Sequence, residues 1–249
     1  MADTFTLVIP AYNEGLIIRE TLTAVVTACR KHCPEPWHVI VVDNASIDGT
    51  ADLVEGFGDP HVRAIRLKEK GRGRAIRTGF EAAGGGIVAF TDADLPIEPA
   101  EVLKGLDMIR RGQCEALIGT RFARGGGTVN KTLLRKGTSK IFQILASIIV
   151  GLRASDSQCP LKITSERMTP IMLATTDPTW WSELEFVLLL EKLNIAVCEL
   201  PVVWTERHAR RKSTVKVLRD GVRAVQAMLR MRSSIPQQAE KLTGIIRSR

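Results

Sequence analysis

The sequence predicts an α/β fold, in which a mixed, mostly parallel sheet carries helices on both faces. Along the first half of the chain, short apolar runs alternate with segments of helical periodicity. Strands that alternate with helices form parallel sheets, and continuously apolar runs are typical of strands covered on both faces. The strands predicted in this half are residues 7–9, 39–42, 62–67, 87–90 and 116–118.

The segments between these strands have helical patterns. After the first strand, Ile18, Leu22, Val25 and Cys29 recur at the spacing of one helix face. Asn13 is a suitable N-terminal cap for that helix. The other helices predicted in this half begin near residues 46–48 or cover residues 73–83 and 99–111.

The second half of the chain is less regular. Its patterns predict helices over residues 132–152, 183–193 and 214–231, and a strand over 196–203. Residues 232–249 are polar and are expected to form a flexible tail. Because neither an internal repeat nor a linker interrupts the rest, residues 1–231 are predicted to form a single domain.

The charge of the chain narrows the class of partner. Lys and Arg outnumber Asp and Glu by 35 to 27, which gives a net charge of +8. Such a charge favours nucleic acid, an anionic membrane surface or phosphorylated substrates. With one Tyr and no nucleic-acid-binding motif, nucleic acid is not expected. The longest apolar stretch, residues 141–152, is well short of the about 20 residues that span a bilayer. The chain is therefore expected to be soluble or to lie on a membrane surface.

The five cysteines do not form a metal-binding pattern. Cys29 and Cys33 lie one helical turn apart, and no second pair completes a zinc site with them. The odd number and scattered spacing predict reduced thiols in a cytoplasmic protein.

Polar residues follow three of the predicted strands. They are the segments 12–14, 43–44 and 92–94. Ligands of parallel sheets bind beyond the carboxyl ends of the strands. A helix cap explains any one of these acids equally well, but three such groups at one edge indicate a site.

Asp92 and Asp94 are the candidate metal ligands. They follow a buried strand, and side chains at positions i and i+2 of an extended segment share a face. Two carboxylates on one face suit Mg²⁺ or Mn²⁺. A metal ion there would act as a Lewis acid on a diphosphate leaving group.

Four segments together resemble the family-two inverting glycosyltransferases of the GT-A fold, which is Rossmann-like. They are residues 10–14, 42–50, 71–75 and 92–95. Three later segments are similar to the polyprenyl-phosphate sugar transferases, such as the dolichyl-phosphate mannose and glucose synthases: residues 119–122, 156–159 and 200–204. The resemblance implies a nucleoside-diphosphate sugar donor and a polyprenyl phosphate acceptor. It assigns residues 1–125 to the donor and residues 126–231, with their amphipathic helices, to the acceptor.

The resemblance also implies roles for single residues on the donor side. Pro10, Tyr12 and Glu14 match the segment that holds the base and ribose, and Asp43 matches the acid that contacts the base. The ribose and diphosphate loop is matched by Gly71, Gly73, Arg74 and Ala75. Asp92 and Asp94 match the metal motif, with Asp94 counted among the catalytic residues.

On the acceptor side, Arg121 matches an arginine near the acceptor phosphate, and Asp156 matches an acid near the reacting sugar; both are expected to be catalytic. Arg135 and Lys136 follow Arg121 along the chain and are expected to bind the same phosphate, because cationic side chains suit phosphate. We expect Glu183 and Glu185 to cap or brace the helix in which they lie.

The sequence departs from the family at three places. Pro96 occupies the position of a third metal ligand in some synthases. Residues 159–162 read Cys-Pro-Leu-Lys in place of Cys-Gly-Phe-Lys, and residues 213–215 read Ser-Thr-Val in place of Ser-Lys-Val. These changes concern the acceptor more than the donor.

Three features have two interpretations each. The late helix carries an apolar stripe of Val215, Leu218, Val222, Val225 and Leu229 beside a basic stripe of Lys216, Arg219, Arg223 and Arg230. It suits an anionic bilayer surface or a core-packed helix with a basic edge, and residues 141–152 have the same ambiguity. Trp180 and Trp181 either lie at the acceptor entrance or pack inside. The glycines of residues 125–127 form either a loop that closes over the donor or a plain turn.

The sequence therefore predicts metal-dependent, inverting transfer of a hexose to a polyprenyl monophosphate, at the cytosolic face of a membrane. Two alternatives stay open: transfer to a soluble or polysaccharide hydroxyl, and a nucleotide-sugar-binding subunit without turnover.

Overall fold

The computed structural model describes residues 4–33, 36–129, 133–207 and 217–247, apart from the side chains of residues 133–136, 217–218 and 247. The strands are β1 (Phe5–Ala11), β2 (Trp37–Asp43), β3 (Val62–Arg66), β4 (Ile87–Thr91), β5 (Ala116–Thr120), β6 (Gly127–Val129), β7 (Leu161–Thr164), β8 (Val197–Pro201) and β9 (Val203–Thr205). The helices are α1 (Ile18–His32), α2 (Thr50–Glu55), α3 (Arg72–Ala83), α4 (Pro99–Arg110), α5 (Leu133–Val150), α6 (Thr169–Leu173), α7 (Ser182–Lys192) and α8 (Val217–Arg247).

Seven strands form the main sheet, in the order β3-β2-β1-β4-β7-β5-β8. All neighbouring pairs are parallel except those of β7, which runs antiparallel to β4 and β5. A separate two-stranded ladder joins β6 and β9. The predicted mixed, mostly parallel sheet is therefore confirmed.

Both faces of the sheet are buried, as predicted. On one face, β1 and β2 pack with α1, α2 and α4 through residues such as Leu7, Leu22 and Leu106. On the other face, Val8 and Phe90 pack with α3 and α5 to α8. This double cover explains the continuous apolar runs in the central strands.

Strand β7 is the main element that the sequence pattern does not reveal. Lys162 interrupts its apolar run, yet this lysine is fully buried between Phe90 of β4 and Ile118 of β5. Leu161 and Ile163 point to the opposite face. The strand thus carries a charge from the second half of the chain into the middle of the sheet.

The prediction of a flexible tail from Arg232 is wrong. Helix α8 continues through that residue to Arg247. Although the segment is polar on average, Ile235, Ala239, Leu242 and Ile246 recur at helical spacing and are buried. Their burial supplies the stabilisation that a polar helix lacks by itself, so the proposed boundary at residue 231 falls inside a helix.

Helix α8 does not bury the apolar stripe that its sequence suggests. Val222 and Leu229 are 60% and 54% exposed, and the helix instead packs through Ala227, Met228 and Met231. Val215 and the side chain of Leu218 lie outside the described residues. The helix therefore packs on the core and still presents part of the predicted stripe to solvent.

Helix α5 has a similar exposed row beside α8. Ile141, Ile144 and Ile148 are 59%, 51% and 75% exposed, while Ala146 on another face is buried. Among the described residues, no helix combines the length and apolar character that a bilayer span requires.

The expectation of five reduced thiols is wrong for two cysteines. Cys114, just before β5, forms a disulfide with Cys198 of β8. The two strands are parallel neighbours, a pairing that the spacing of the cysteines does not reveal. Cys29, Cys33 and Cys159 are buried.

Candidate active site

The carboxyl ends of β1, β2 and β4 meet at one edge of the sheet, because these strands are parallel neighbours. Tyr12, Asp43 and Asp92 follow or end these strands. The N-terminus of α3 lies at the same edge, because Gly71 N–H donates to Asn44 Oδ1 at 2.6 Å. The three polar segments predicted to form a site are therefore brought together.

The loops after β1 and β2 are cross-linked by hydrogen bonds. The backbone N–H of Asn13 donates to Ser46 Oγ at 2.9 Å, and Ile47 N–H donates to Asn13 Oδ1 at 3.0 Å. Gly15 N–H donates to Asp48 Oδ2 at 2.9 Å. Each of these hydrogen bonds joins a backbone N–H of one loop to a side-chain oxygen of the other, and together they fix the rim of the site.

Asp43 carries a buried acceptor atom that no described residue satisfies. Its Oδ2 accepts a long hydrogen bond from Ser46 N–H at 3.4 Å. Its Oδ1 has no hydrogen-bond partner among the described residues. Buried polar atoms nearly always have a partner. The carboxylate is therefore suited to accept a hydrogen bond from a ligand.

The predicted metal motif forms a tight turn after β4. Leu95 N–H donates to Asp92 O at 3.1 Å, and Leu95 adopts a positive φ of 44°. Ala93 between the two acids is buried, and its carbonyl accepts from Thr21 Oγ1 at 2.5 Å. Asp92 and Asp94 are both partly exposed on either side of it. The turn thus anchors its central residue and leaves the two carboxylates accessible.

Arg72 is the cation closest to this motif that the structure describes. Its Nη2 donates to Asp92 Oδ1 at 2.6 Å, and its Nη1 donates to Glu183 Oε1. The guanidinium lies over the rings of Phe90 and Trp180, at 5.6 Å and 5.0 Å from their centroids. Burial by itself lowers the pKa of Arg72, but the charges of Asp92 and Glu183 raise it above its ordinary value.

Glu183 belongs to a buried chain of alternating charges. Its second oxygen accepts from Lys162 Nζ at 2.9 Å. The same ammonium donates to the carbonyls of Ser157 and Cys159 at 2.7 Å and 2.5 Å. The expectation that Glu183 braces its own helix is therefore wrong, because its carboxylate connects Arg72 to Lys162.

Glu185 does brace the segment before α7. It accepts from the N–H groups of Thr176 and Asp177, each at 2.8 Å, and from Gln238 of α8 at 2.9 Å. This carboxylate has a local structural role away from the metal motif.

Arg121 and Asp156 form a second buried ion pair at the same edge. Nε and Nη2 of Arg121 donate to the two oxygens of Asp156 at 2.7 Å and 2.8 Å. Burial alone lowers the pKa of Arg121, but the hydrogen bonds and charge of Asp156 raise it. The structure therefore joins two residues that the sequence assigned separately to phosphate and sugar.

The remaining donor-side residues have different environments. Gly71 and Gly73 pack against the 177–182 segment. An added Cβ would lie 2.6 Å from Pro178 O at Gly71 and 2.6 Å from Ser182 Oγ at Gly73. Ala75 is fully buried in the core, and Arg74 pairs with Glu69 at 2.9 Å. Part of this loop therefore shapes the site through packing.

Three donor-side residues lie around the end of β1. Pro10 is buried within the strand, opposite Val42. Lys70 donates to the Tyr12 hydroxyl and lies 4.1 Å above its ring. Glu14 is held through its backbone N–H, which donates to Thr50 Oγ1 at 2.9 Å.

The two tryptophans have different roles in the packing. Trp181 stacks on Phe142 of α5, with the ring centroids 5.4 Å apart. Trp180 is 51% exposed and lies beside Arg72. Trp180 is therefore the more exposed of the two rings and lies next to the guanidinium that binds Asp92.

The glycine segment is tied into a short ladder. Gly127 N–H donates to Val202 O at 3.0 Å, and Gly127 begins β6.

Some residues singled out in the sequence lie outside the described residues. They are the side chains of Arg135 and Lys136 and the Ser-Thr-Val segment of residues 213–215.

Sequence reasoning gave no role to three charged residues of the site or its support, Lys70, Arg72 and Lys162, and it assigned Glu183 to its own helix. A signal existed for Arg72, which stands between the two glycines of the quoted loop, and for Lys162 in the quoted Cys-Pro-Leu-Lys segment. Their contacts depend on the placement of β7 and α7 beside α3, which periodicity does not give.

Comparisons with solved structures show the same fold. The glucosyl-3-phosphoglycerate synthase of Mycobacterium tuberculosis, solved with Mn²⁺ and UDP-glucose, superposes with a TM-score of 0.67 at 18% identity. The match covers 94% of this chain and 80% of that one. A complex of the same enzyme with Mn²⁺, UDP and glucosyl-3-phosphoglycerate has a TM-score of 0.65 over 94% and 81% of the two chains, also at 18% identity. The expected GT-A fold is thereby confirmed.

Curated relatives include enzymes of lipid-linked sugar transfer. A dolichyl-phosphate beta-glucosyltransferase from Trichomonas vaginalis is 30% identical over 81% of this chain and 64% of the relative. An undecaprenyl-phosphate 4-deoxy-4-formamido-L-arabinose transferase from Pectobacterium atrosepticum is 31% identical over 68% of this chain and 50% of the relative. The chain thus spans half to under two thirds of the length of these relatives. The family model for "Glycosyl transferase family 2" matches residues 6–166, more than half of the sequence, and the chain therefore belongs to glycosyl transferase family 2.

Proposed function

We propose that this chain catalyses metal-dependent, inverting transfer of a hexose from a nucleoside-diphosphate sugar to a polyprenyl monophosphate. The observation that carries the proposal is the placement of Asp43, Asp92 and Asp94 along one edge of the sheet, in a member of a glycosyltransferase family. The two relatives described above are named for transfer to dolichyl phosphate and undecaprenyl phosphate, which supports the acceptor class.

The residues of the turn fit a divalent metal. Asp92 and Asp94 offer hard oxygen ligands, and the Arg72 cation 2.6 Å from Asp92 Oδ1 marks a place that holds positive charge. Among the described residues, no cluster of three or more His, Cys, Asp or Glu side chains is arranged to hold a metal. We infer that the two carboxylates would hold Mg²⁺ or Mn²⁺ together with donor oxygens and water, since Mg²⁺ usually keeps several such ligands. The ion would supply Lewis-acid stabilisation to the departing diphosphate.

The donor side of the site is suited to a nucleotide. The unpaired Oδ1 of Asp43 can accept a hydrogen bond from the base. Tyr12 follows the neighbouring strand β1, and Lys70 lies over its ring. These residues position the base and ribose of the donor.

The acceptor side favours a nucleophile that is already ionised. The second pKa of a phosphate monoester is about 6, so its oxygen attacks without giving a proton to the enzyme. Asp156, Glu183 and Glu185 all have both carboxylate oxygens in hydrogen bonds with neighbouring residues. This arrangement supports a reaction without a carboxylate base, which a lipid phosphate does not need.

A membrane-facing surface accompanies the site in this proposal. Helices α5 and α8 contact each other, and we use the name α5–α8 face for their exposed residues Ile141, Ile144, Ile148, Val222 and Leu229. Arg219 and Arg223 are exposed on the same helix, α8. Apolar side chains beside basic ones suit the surface of an anionic bilayer, and we propose peripheral binding to the cytosolic leaflet.

A donor screen followed by a turnover assay tests the proposed function. Nucleoside-diphosphate hexoses are added with Mn²⁺, and the melting temperature is measured, because ligands of the folded state raise it. The donors that stabilise are then incubated with undecaprenyl phosphate, and the lipid product is measured by mass spectrometry. We expect one donor class to give a hexosyl-phosphate lipid. Stabilisation without any transfer or hydrolysis would instead indicate a binding subunit.

A further inference from the structure

The guanidinium of Arg72 is shared by two carboxylates of different accessibility. Asp92, bound at 2.6 Å, has a side chain 28% exposed, whereas Glu183 is 3% exposed. Arg72 itself is 9% exposed. An ion that arrives from solution can therefore reach Asp92 but not Glu183.

Glu183 is the fixed end of this arrangement. Its other oxygen binds Lys162 at 2.9 Å, and Lys162 is in turn held by the carbonyls of Ser157 and Cys159. Because buried charges without partners are very costly, Glu183 keeps both cations whatever happens at the surface. Arg72 can thus release Asp92 and stay paired.

We propose that Arg72 competes with the divalent metal for Asp92. In the metal-free enzyme the guanidinium neutralises this carboxylate, and the metal binds when the guanidinium gives up Asp92 while it keeps Glu183. The proposal rests on the metal site of the proposed function. It makes Arg72 a residue that sets metal affinity, in addition to any contact it has with the donor.

The physical basis is electrostatic and has a definite sign. Arg72 occupies one oxygen of a metal ligand, and its charge repels a second cation only a few ångströms away in a partly buried site. Removing the Arg72 charge should therefore tighten metal binding. Removing the charge of Glu183 should weaken it, because Arg72 then depends on Asp92 for its remaining partner.

The test measures Mn²⁺ affinity by the electron paramagnetic resonance signal of free Mn²⁺, in the presence of UDP and, in parallel, GDP. We expect Arg72→Gln to lower the Kd for Mn²⁺ about tenfold and Glu183→Gln to raise it. Arg72→Lys should lower the Kd by less, about threefold, because one ammonium cannot hold both carboxylates. Arg63→Gln removes the same charge at the far end of β3 and should leave the Kd within about twofold.

Opposite signs separate this role from general damage to the fold, which would weaken binding in both variants. Circular dichroism and melting temperature identify variants that fail to fold, and Arg72→Lys then carries the test alone. The inference is overturned if folded Arg72 variants bind Mn²⁺ no more tightly than the wild type. If the wild type binds no Mn²⁺ with either nucleotide, the metal site itself is overturned as well.

Discussion

Arg121 and Asp156 bind each other through two parallel hydrogen bonds, 2.7 Å from Nε and 2.8 Å from Nη2. The backbone N–H of Arg121 adds a third, at 3.0 Å. With Arg121 8% and Asp156 1% exposed, the pair is almost entirely buried. This pairing makes Asp156 a poor general base and makes Arg121 a structural residue as well as a candidate phosphate ligand.

Loss of the Arg121 side chain should destabilise the fold. In Arg121→Ala, Asp156 keeps its charge in a buried site without its main partner, and breaking such a pair costs about 3–5 kcal/mol. Urea denaturation would measure the change in the free energy of unfolding. Arg124→Ala, at an exposed neighbouring position, should change it little. An Arg121→Ala protein that is within 1 kcal/mol of the wild type would contradict the buried pair.

Replacing the carboxylates by amides should not remove a base. In Asp156→Asn and Glu185→Gln, we expect a modest fall in kcat rather than the about 10²–10⁴-fold loss that follows removal of a general base. The rate should rise with pH through about 6, as the acceptor phosphate loses its second proton, and then level off in both wild type and variants. A variant that folds and binds donor normally, but loses activity on the larger scale, would point to a hydroxyl acceptor.

The metal motif can be tested by binding alone. Asp92→Asn and Asp94→Asn each remove a charged ligand from the site, so each should abolish most of the Mn²⁺-dependent affinity for nucleotide. Calorimetry with Mn²⁺ and with EDTA measures the Mn²⁺-dependent part of the nucleotide affinity directly. Asp107→Asn, on the exposed side of α4, is the matched control. Unchanged Mn²⁺-dependent affinity in both motif variants would exclude them as ligands.

Asp43 should contribute to nucleotide binding even without metal. Hydrogen bonds to charged groups contribute about 1.5–3 kcal/mol, so Asp43→Asn should weaken nucleotide affinity about 10- to 100-fold. Calorimetry in EDTA measures the nucleotide affinity without the contribution of the metal. Asp59→Asn, which is distant in the chain and paired with Arg30, should leave the affinity unchanged. Equal affinities for Asp43→Asn and wild type would remove Asp43 from the nucleotide site.

The α5–α8 face should bind anionic vesicles. Flotation with phosphatidylglycerol vesicles should recover the wild type at low salt and less of it as salt rises, because screening weakens the attraction. Ile144→Glu combined with Ile148→Glu should lose most of the binding. Ile47→Glu, at an exposed isoleucine outside this face, should not. Flotation of the double variant at the wild-type level would contradict the assignment of this face.

The sequence predicts most of the sheet because its strands are apolar on both faces. It also predicts the carboxylates at the sheet edge, because Asp43, Asp92 and Asp94 follow apolar strands directly. Strand β7 could not be predicted because Lys162 interrupts its apolar run. The full length of α8 could not be predicted because its buried residues are surrounded by polar ones in the sequence. The pairs Arg72–Glu183 and Arg121–Asp156 could not be predicted, because α7 and the antiparallel strand bring these residues together.

The acceptor of the reaction tests the central claim most directly. The stabilising donor and Mn²⁺ are incubated with undecaprenyl phosphate or, in parallel, with undecaprenol, which has the same lipid chain and a hydroxyl in place of the phosphate. We predict a hexosyl-phosphate lipid with the first and no product with the second, since both oxygens of Asp156, Glu183 and Glu185 already accept hydrogen bonds from neighbouring residues and are poorly placed to take a proton from a hydroxyl. Transfer to undecaprenol at a comparable rate, or no transfer to undecaprenyl phosphate, would contradict the account.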